Sequence, residues 1–352
     1  MTAQSKFSFL EADRLHAIPE WLERRAGRQK LAILADENTA EQCTPLLDAI
    51  GNKRISEAEL IVVPAGEEAK SLEIVEGVCE NLLEQNYDRN TLIMNLGGGV
   101  VTDLGGFVAS IFKRGVSYIN LPTSLLGMVD ASIGGKTAVN LAHSKNQIGR
   151  FHFPKHSFII PEFLKTLPAG EKKSGYAEML KHALLEDREQ WDMLIQKGAS
   201  LVGLEEIQFS VGVKEAICER DPYEKNERKK LNLGHNIGHA FEVLFHGRGK
   251  SRSHGHCVAE GMYIESYLSE MKQGLDPALG KQIRSDLRQH FEPFALGPND
   301  SPELLRYLMQ DKKNKSGKMR FSLLKDFALV QFDVEVSREE VDRALTRYLQ
   351  ER

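Results

Sequence analysis

The chain is 352 residues long, more than one ordinary compact domain takes, so about two domains are expected. With 41% hydrophobic and 27% charged residues it has the balance of a soluble globular protein with an ample core. Its formal net charge of -4 argues against a nucleic-acid partner held by a global basic field.

Cys43, Cys79, Cys218 and Cys257 are scattered with no CxxC pair, as suits reduced thiols. The N-terminus lacks the apolar centre of a signal peptide, and no run reaches the roughly 18 apolar residues of a membrane span. The expectation is a cytoplasmic protein with neither membrane nor nucleic acid as partner.

In chain order, LAILA at Leu31–Ala35 and LIVVP at Leu60–Pro64 are short apolar runs stopped by polar or turn residues, and they predict strands. Helical spacing follows from Ser71 to Gln85. LIMNL at Leu92–Leu96 predicts a third strand, broken by Gly97–Gly99, and a helix then runs through Phe112. Further strands are expected at Tyr118–Leu121 and Ser157–Ile160. This alternation predicts a Rossmann-like α/β layer with a mostly parallel sheet. Beyond about Pro168 helical patterns take over, at Glu171–Leu185, Leu204–Cys218, Gly234–Phe245 and His254–Met271. The basic, glycine- and serine-rich stretch His246–Ser253 predicts a loop between two of them. Arg320–Val336 looks extended, and Arg338–Tyr348 has the spacing of an amphipathic helix. A boundary near Pro161–Pro168 leaves a nucleotide-type α/β domain at residues 1–165 and a mainly helical domain at 166–352.

Three groups of residues carry chemistry. In NLGGGVVTDLGGF, a strand, glycines and a helix follow one another, the arrangement that cradles a pyrophosphate. Thr102 stands at the third glycine position of GxGxxG, however. The acid expected after the next strand is also missing from its place, and Asp36, in LADEN, follows an earlier strand instead. The glycines by themselves leave a tight turn and a cofactor site both open.

In the helical half, GYAEMLKH sets Glu178 and Lys181 one helical turn apart, and LNLGHNIGHAFE sets His235 and His239 at i, i+4. HGHCVAEGM opens on His254, with His256 about 200° further round the helix. One carboxylate and two imidazoles with an open position is the composition of a catalytic zinc site, whereas a histidine pair alone is often capping or surface decoration. The Glu of HExxH is absent, which disfavours a peptidase. Gly234, Gly238 and Gly255 beside the histidines each cost about 1 kcal/mol in a helix, so something is expected to approach the backbone there. The third group is PTSLLGMVDASIGGKTAVNLAHSKNQIG, in which Asp130, Lys136, Asn140, Lys145 and Asn146 lie among small residues. It reads either as a polar surface loop or as a loop that wraps an anion.

Together these segments resemble the 3-dehydroquinate synthase family of sugar-phosphate cyclases. The match runs from DEN at Asp36 to DKK at Asp311, with GGGVVTDLGGF, PTSLLGMVDASIGGKT, KNQIG, FLKTLP, AEMLKH, LNLGHNIGH and HGHCVAEGM in family order. The resemblance implies a divalent metal, Zn2+ with Co2+ as an alternative, on Glu178, His235 and His254. It implies NAD on Asp36, Asn38, Glu67, Lys70, Gly98, Gly99, Val100, Asp103, Thr123, Ser124, Lys136, Lys145, Phe163, Thr166 and Leu167, with Glu171 nearby. The substrate would be met by Asp130, Lys136, Asn146, Lys181, Lys214, Arg228, Asn232, His239 and Lys312. Arg114, in FKRG, matches an arginine lent across a homodimer interface.

The activity so implied is a lyase step of the shikimate pathway of aromatic amino-acid biosynthesis. 3-Deoxy-arabino-heptulosonate 7-phosphate becomes 3-dehydroquinate and phosphate, with NAD regenerated each cycle. Oxidation of one hydroxyl allows phosphate to leave by β-elimination; re-reduction, ring opening and an aldol closure follow. His239 suits the handling of a hydroxyl proton, and Lys214 with Arg228 is the expected carboxylate clamp. Two residues depart from the family pattern. His256 stands where an acid is usual, which is expected to loosen the orientation of a ligand imidazole, and Glu260 stands where an apolar residue is usual. Ser124 for the usual threonine keeps its hydroxyl. Three other readings stand beside this one: a sister cyclase taking sedoheptulose 7-phosphate, which needs no carboxylate clamp; a metal-dependent polyol dehydrogenase; and a non-catalytic NAD-binding homologue.

Overall fold

The computed structural model describes residues 6–142, 144–297, 300–310 and 319–351. The chain divides into two compact units, Met1–Pro168 and Ala169–Arg352.

Among the described residues the first unit contains eight strands: β1 (Phe7–Phe9), β2 (Lys30–Asp36), β3 (Glu59–Val63), β4 (Thr91–Gly97), β5 (Ser117–Pro122), β6 (Lys136–Leu141), β7 (Ser144–Phe151) and β8 (Ser157–Ile159). Six form one sheet in the order β1-β8-β5-β4-β2-β3, parallel throughout. β4 is buried from end to end, which is why it reads as a continuous apolar run rather than an alternation. β3 lies at an edge. It buries Ile61 and Val63 on one face and exposes Leu60 and Val62 on the other.

The helix Gly99–Ile111 packs directly on the sheet. A side chain at Gly105 would fall 1.9 Å from Asn95 Oδ1, and one at Gly106 would fall 2.5 Å from Thr137 Cγ2. The paired glycines of DLGGF therefore serve close packing. The part of the expected polar or anion-wrapping loop that carries Lys136, Asn140, Lys145 and Asn146 forms an antiparallel hairpin of β6 and β7, with Thr137 paired to Arg150 and Val139 to Ile148. Its regular part escaped detection because small residues and glycines obscure the alternation of KTAVNL. The helix Glu37–Asp48 was also unforeseen. Pro45 lies inside it, but Asp36 starts it: its side chain accepts from Thr39 N, and Thr39 Oγ1 accepts from Asp36 N.

Among the described residues the second unit is helical, with one antiparallel hairpin of β9 (Met319–Asp326) and β10 (Leu329–Val336) where extended chain was expected. The helix His254–Gln273 is buried along most of its length. Glu260, at a position where the family pattern suggests an apolar residue, is wholly buried there. Arg288, from the helix Pro277–His290, lays its guanidinium along the carboxylate, with Nη1 against Oε1 and Nη2 3.1 Å from Oε2. Tyr348, from the helix Arg338–Glu351, donates to Oε2 at 2.5 Å. Burial raises the Glu260 carboxyl above its ordinary range, and Arg288 and Tyr348 only partly offset this. One carboxylate thus ties three helices. Glu260→Leu, which leaves Arg288 unpaired, is expected to cost about 3 kcal/mol, while Glu260→Leu with Arg288→Met costs little. Urea denaturation of both proteins checks this; a single variant no less stable than the double would show that the pair does not hold the helices.

Candidate metal centre and nucleotide loop

The metal centre is assembled by close packing of helices. Gly234, with φ +79°, starts the helix His235–His246 in the left-handed region that favours glycine. A side chain on Gly234 would fall 2.7 Å from Val258 O, and one on Gly261 would fall 1.8 Å from Gly234 O. A side chain on Gly255 would fall 2.0 Å from Ser174 O, in the helix Ala169–Glu186. The close approach expected at the glycines beside the histidines is thus that of neighbouring helices. Glu265, buried and unforeseen, accepts from Gly234 N at 2.6 Å and Ile237 N at 3.3 Å, so an acid from one helix caps the start of the next.

This packing brings Glu178, His235 and His254 together. Glu178 is fully buried, and its Oε1 has no hydrogen-bond partner. It lies 3.4 Å from His254 Nε2 and 3.6 Å from His235 Nε2. One donor atom from each of the three residues lies within 4.8 Å of the others. The far ring nitrogens are engaged: His235 Nδ1–H donates to Leu233 O at 3.1 Å, and His254 Nδ1–H donates to Glu242 Oε1 at 3.0 Å. Both Nε2 atoms thereby face Glu178. An orphaned carboxylate oxygen and two oriented imidazoles fit a divalent metal of the zinc type.

Lys181, itself 1% exposed, holds the other Glu178 oxygen in an ion pair. Burial would raise the Glu178 carboxyl, but Lys181, His235 and His254 hold it well below the usual carboxylate range. Burial, then Lys181, pushes the His235 imidazole well down. His254 is pushed up to about 10: burial opposes its charge, but the carboxylates of Glu178 and Glu242 on either side prevail. Carboxylates facing one imidazole from both sides call for positive charge, which a divalent cation supplies.

His239 flanks the group, its ring centre 5.3 Å from that of His235 and 6.2 Å from that of His254. His256 turns elsewhere: its Nε2–H donates to Glu292 O at 2.7 Å, and its ring lies 4.5 Å from that of Phe294. The orienting acid expected after His254 is instead Glu242, which sequence reasoning missed; its only signal was a carboxylate one turn past His239.

Lys214 and Arg228 are buried cations, and Arg228 is 1% exposed. Arg228 Nη1 donates to Pro222 O at 2.7 Å, and Asn232 Nδ2 donates to Glu224 Oε1 at 2.9 Å. The turn that carries them is organised by Asp221, which accepts from the backbone N–H groups of Lys225, Asn226 and Arg228.

In the first unit, Asp36 ends β2, and the segment Glu67–Lys70, Gly98–Gly99 and Thr123–Ser124 follow β3, β4 and β5, the four strands being adjacent. All lie beyond the carboxyl ends of a parallel sheet, where α/β folds bind ligands. From β2 the chain moves outward to β3, and from β4 it moves the other way to β5. The switch point thus lies between Asp36 and the glycine turn, which explains why the acid precedes the glycines in sequence. Close contacts shape the turn: a side chain at Gly98 would lie 3.2 Å from Ser124 Oγ, and one at Gly99 would lie 3.1 Å from Ala131 Cβ.

Lys70, 4% exposed, joins Asp103 Oδ2 at 2.7 Å and Asn146 Oδ1 at 2.6 Å. Asn140 donates to Glu67 Oε1 at 3.0 Å and accepts from Asn146 N at 2.9 Å. Residues expected on the cofactor side thus meet Asn146, expected on the substrate side. Val100 follows Gly99 in the first turn of its helix, and Asp130 belongs to the π-helical turn Gly127–Ala131. Asn38, Lys136, Lys145 and Glu171 are exposed. Phe163 is buried in the turn Pro161–Lys165, its carbonyl accepting from Thr166 Oγ1, and Leu167 N donates to Leu164 O. Arg114 is exposed on a turn where both it and Lys113 have positive φ. Lys312 lies outside the described residues. Among the described residues no helix is long and apolar enough to cross a membrane.

Comparison with known proteins places this geometry in a family. Residues 60–174 match the family described as 3-dehydroquinate synthase N-terminal, and residues 175–314 match that described as 3-dehydroquinate synthase C-terminal. The 3-dehydroquinate synthase of Parabacteroides distasonis is 37% identical over 323 residues, covering 91% of each chain. Among solved structures, the 2-epi-5-epi-valiolone synthase of Streptomyces hygroscopicus, with NAD+ and Zn2+ bound, is 27% identical with a TM-score of 0.83, covering 100% of this chain and 99% of that one. A 2-deoxy-scyllo-inosose synthase, 21% identical with a TM-score of 0.84 over 97% of this chain and 96% of that one, shares the fold. The chain belongs to the 3-dehydroquinate synthase family of sugar-phosphate cyclases.

Proposed function

We propose that the chain is a 3-dehydroquinate synthase, converting 3-deoxy-arabino-heptulosonate 7-phosphate to 3-dehydroquinate and phosphate in aromatic amino-acid biosynthesis. It is an NAD- and metal-dependent enzyme that acts in the cytoplasm as a homodimer. The observation that carries the reading is the Glu178–His235–His254 donor set in a chain of this family. Bound NAD supplies a reversible hydride acceptor, and a bound divalent metal acidifies the hydroxyl that is oxidised.

The remaining roles belong to side chains. Lys181, beside Glu178, meets a substrate oxygen near the metal, and His239 takes and returns a hydroxyl proton. Lys214 and Arg228 hold the substrate carboxylate. Arg114 meets the phosphate, and Asp130, Lys136, Lys145, Asn146, Asn232 and Lys312 complete the polar contacts to substrate and cofactor. The residues beyond β2, β3, β4 and β5 hold NAD. The name of the relative that is 37% identical, a 3-dehydroquinate synthase, favours an acid substrate.

The second reading is a sister cyclase taking sedoheptulose 7-phosphate. On likeness to solved structures this is the better reading, since another carbocycle-forming synthase matches the whole chain.

Supplying NAD, Zn2+ and each sugar phosphate in turn, and measuring released phosphate, separates the two. The expected result is phosphate from the sugar acid, little from sedoheptulose 7-phosphate, and no accumulation of NADH. Phosphate from sedoheptulose 7-phosphate alone would establish the sister reading, and steady growth of NADH would establish a polyol dehydrogenase.

A further inference from the structure

We infer that Glu242 is a positioning residue for the metal centre, the group that sets the tautomer and ring orientation of His254. The inference rests on the metal site proposed above and deepens it. His254 is the first residue of its helix, where its own turn gives the ring little to lean on. Its Nδ1–H donates to Glu242 Oε1 at 3.0 Å, and Glu242 belongs to the neighbouring helix His235–His246, with 10% of its side chain exposed. That bond leaves Nε2 facing Glu178 Oε1 at 3.4 Å, where loss of its proton frees it to ligate. Without it, the ring is free to flip or to carry its proton on Nε2, and either change removes a ligand. An outer carboxylate of this kind fixes the ring and raises the basicity of the ligating nitrogen.

The position two residues on, where the family pattern leads one to expect an acid, cannot take this role. His256 is directed to Glu292 O and packs against Phe294 and Phe291, with ring centres 4.5 and 5.7 Å away. A carboxylate placed there starts on the wrong side of the helix. Glu242 also carries the inner face of its own helix: one donor atom from each of His239, Glu242 and His254 lies within 4.8 Å of the others. The same acid is therefore near both the ligand imidazole and the histidine proposed to move a proton.

The test is titration of the metal-stripped full chain with Co2+, following visible absorption, for wild type, Glu242→Ala, Glu242→Met, Glu242→Gln and the double variant Glu242→Ala with His256→Glu. Far-UV circular dichroism verifies folding, and Met preserves bulk should Ala fail to fold. Wild type is expected to take one ion per chain. Ala and Met should bind it roughly 10–100-fold more weakly, with an altered Co2+ spectrum. Gln, which keeps an oxygen that accepts from Nδ1–H, should stay near wild type, and the double variant should remain as weak as Glu242→Ala. Folded Ala and Met variants with wild-type affinity and spectrum overturn the inference, as does recovery by His256→Glu. A wild-type chain that takes up no ion overturns the metal reading itself, a result distinct from either.

Discussion

Gly261→Ala is expected to destabilise the helical unit by about 3 kcal/mol or more and to abolish metal uptake, although it adds a single methyl group. The added carbon would lie 1.8 Å from Gly234 O, 2.8 Å from Gly234 C and 3.0 Å from Gly238 N, all backbone atoms that no side-chain rotation can move aside. The only relief is separation of the helices His235–His246 and His254–Gln273. Those helices carry His235 and His254, whose Nε2 atoms both face one oxygen of Glu178. Separation thus removes a ligand as it loosens the core. Gly77 provides the control: it lies in the helix Leu72–Glu84, and a side chain there meets nothing within 4 Å. Gly77→Ala should stabilise by about 0.4–1 kcal/mol by restricting the unfolded chain. Urea denaturation and Co2+ titration of both variants check the contrast. A Gly261→Ala protein as stable as wild type would mean that the helices do not meet at this glycine.

That contrast also marks what could be read from the residues alone. Glycine in a helix signals that something comes close, but its identity lies on another element, and here it is backbone rather than ligand. Buried parallel strands such as β4 were legible because apolar runs stopped by turn residues have few other uses, and the long helices were legible by their spacing. Glu178, His235 and His254 stood out as a set because ligands must be His or acid and because the family motifs occur in order. Glu242 and Glu265 did not stand out, since a carboxylate on a helix is usually solvated, and their roles depend on which way a neighbouring helix faces. The same holds for Glu260, whose partners Arg288 and Tyr348 lie 28 and 88 residues away. Asp36 looked misplaced for a dinucleotide site until the strand order set β2 beside β4. Topology, not motif, carries that information.

Arg114→Ala is expected to abolish most turnover while sparing NAD and metal binding. Arg114 and Lys113 have φ of 72° and 50°, left-handed backbone in two successive residues with side chains, costing roughly 1–2 kcal/mol each. Strain retained in an exposed turn fits a functional use, here the presentation of a guanidinium. Charge-assisted and able to bond in two places, that group suits a phosphate. In the proposed homodimer it enters the site of the neighbouring subunit, and complementation reads this directly. Arg114→Ala and His235→Ala are each expected to show little or no turnover alone. After subunit exchange, a mixed dimer holds one site with both defects and one with neither, so about a quarter of all sites in an equal mixture become whole. Activity should return to that level, with labelled subunits proving exchange. Exchange without any return of activity would place Arg114 in the site of its own chain, and a folded Arg114→Ala protein with undiminished turnover would remove it from the site altogether.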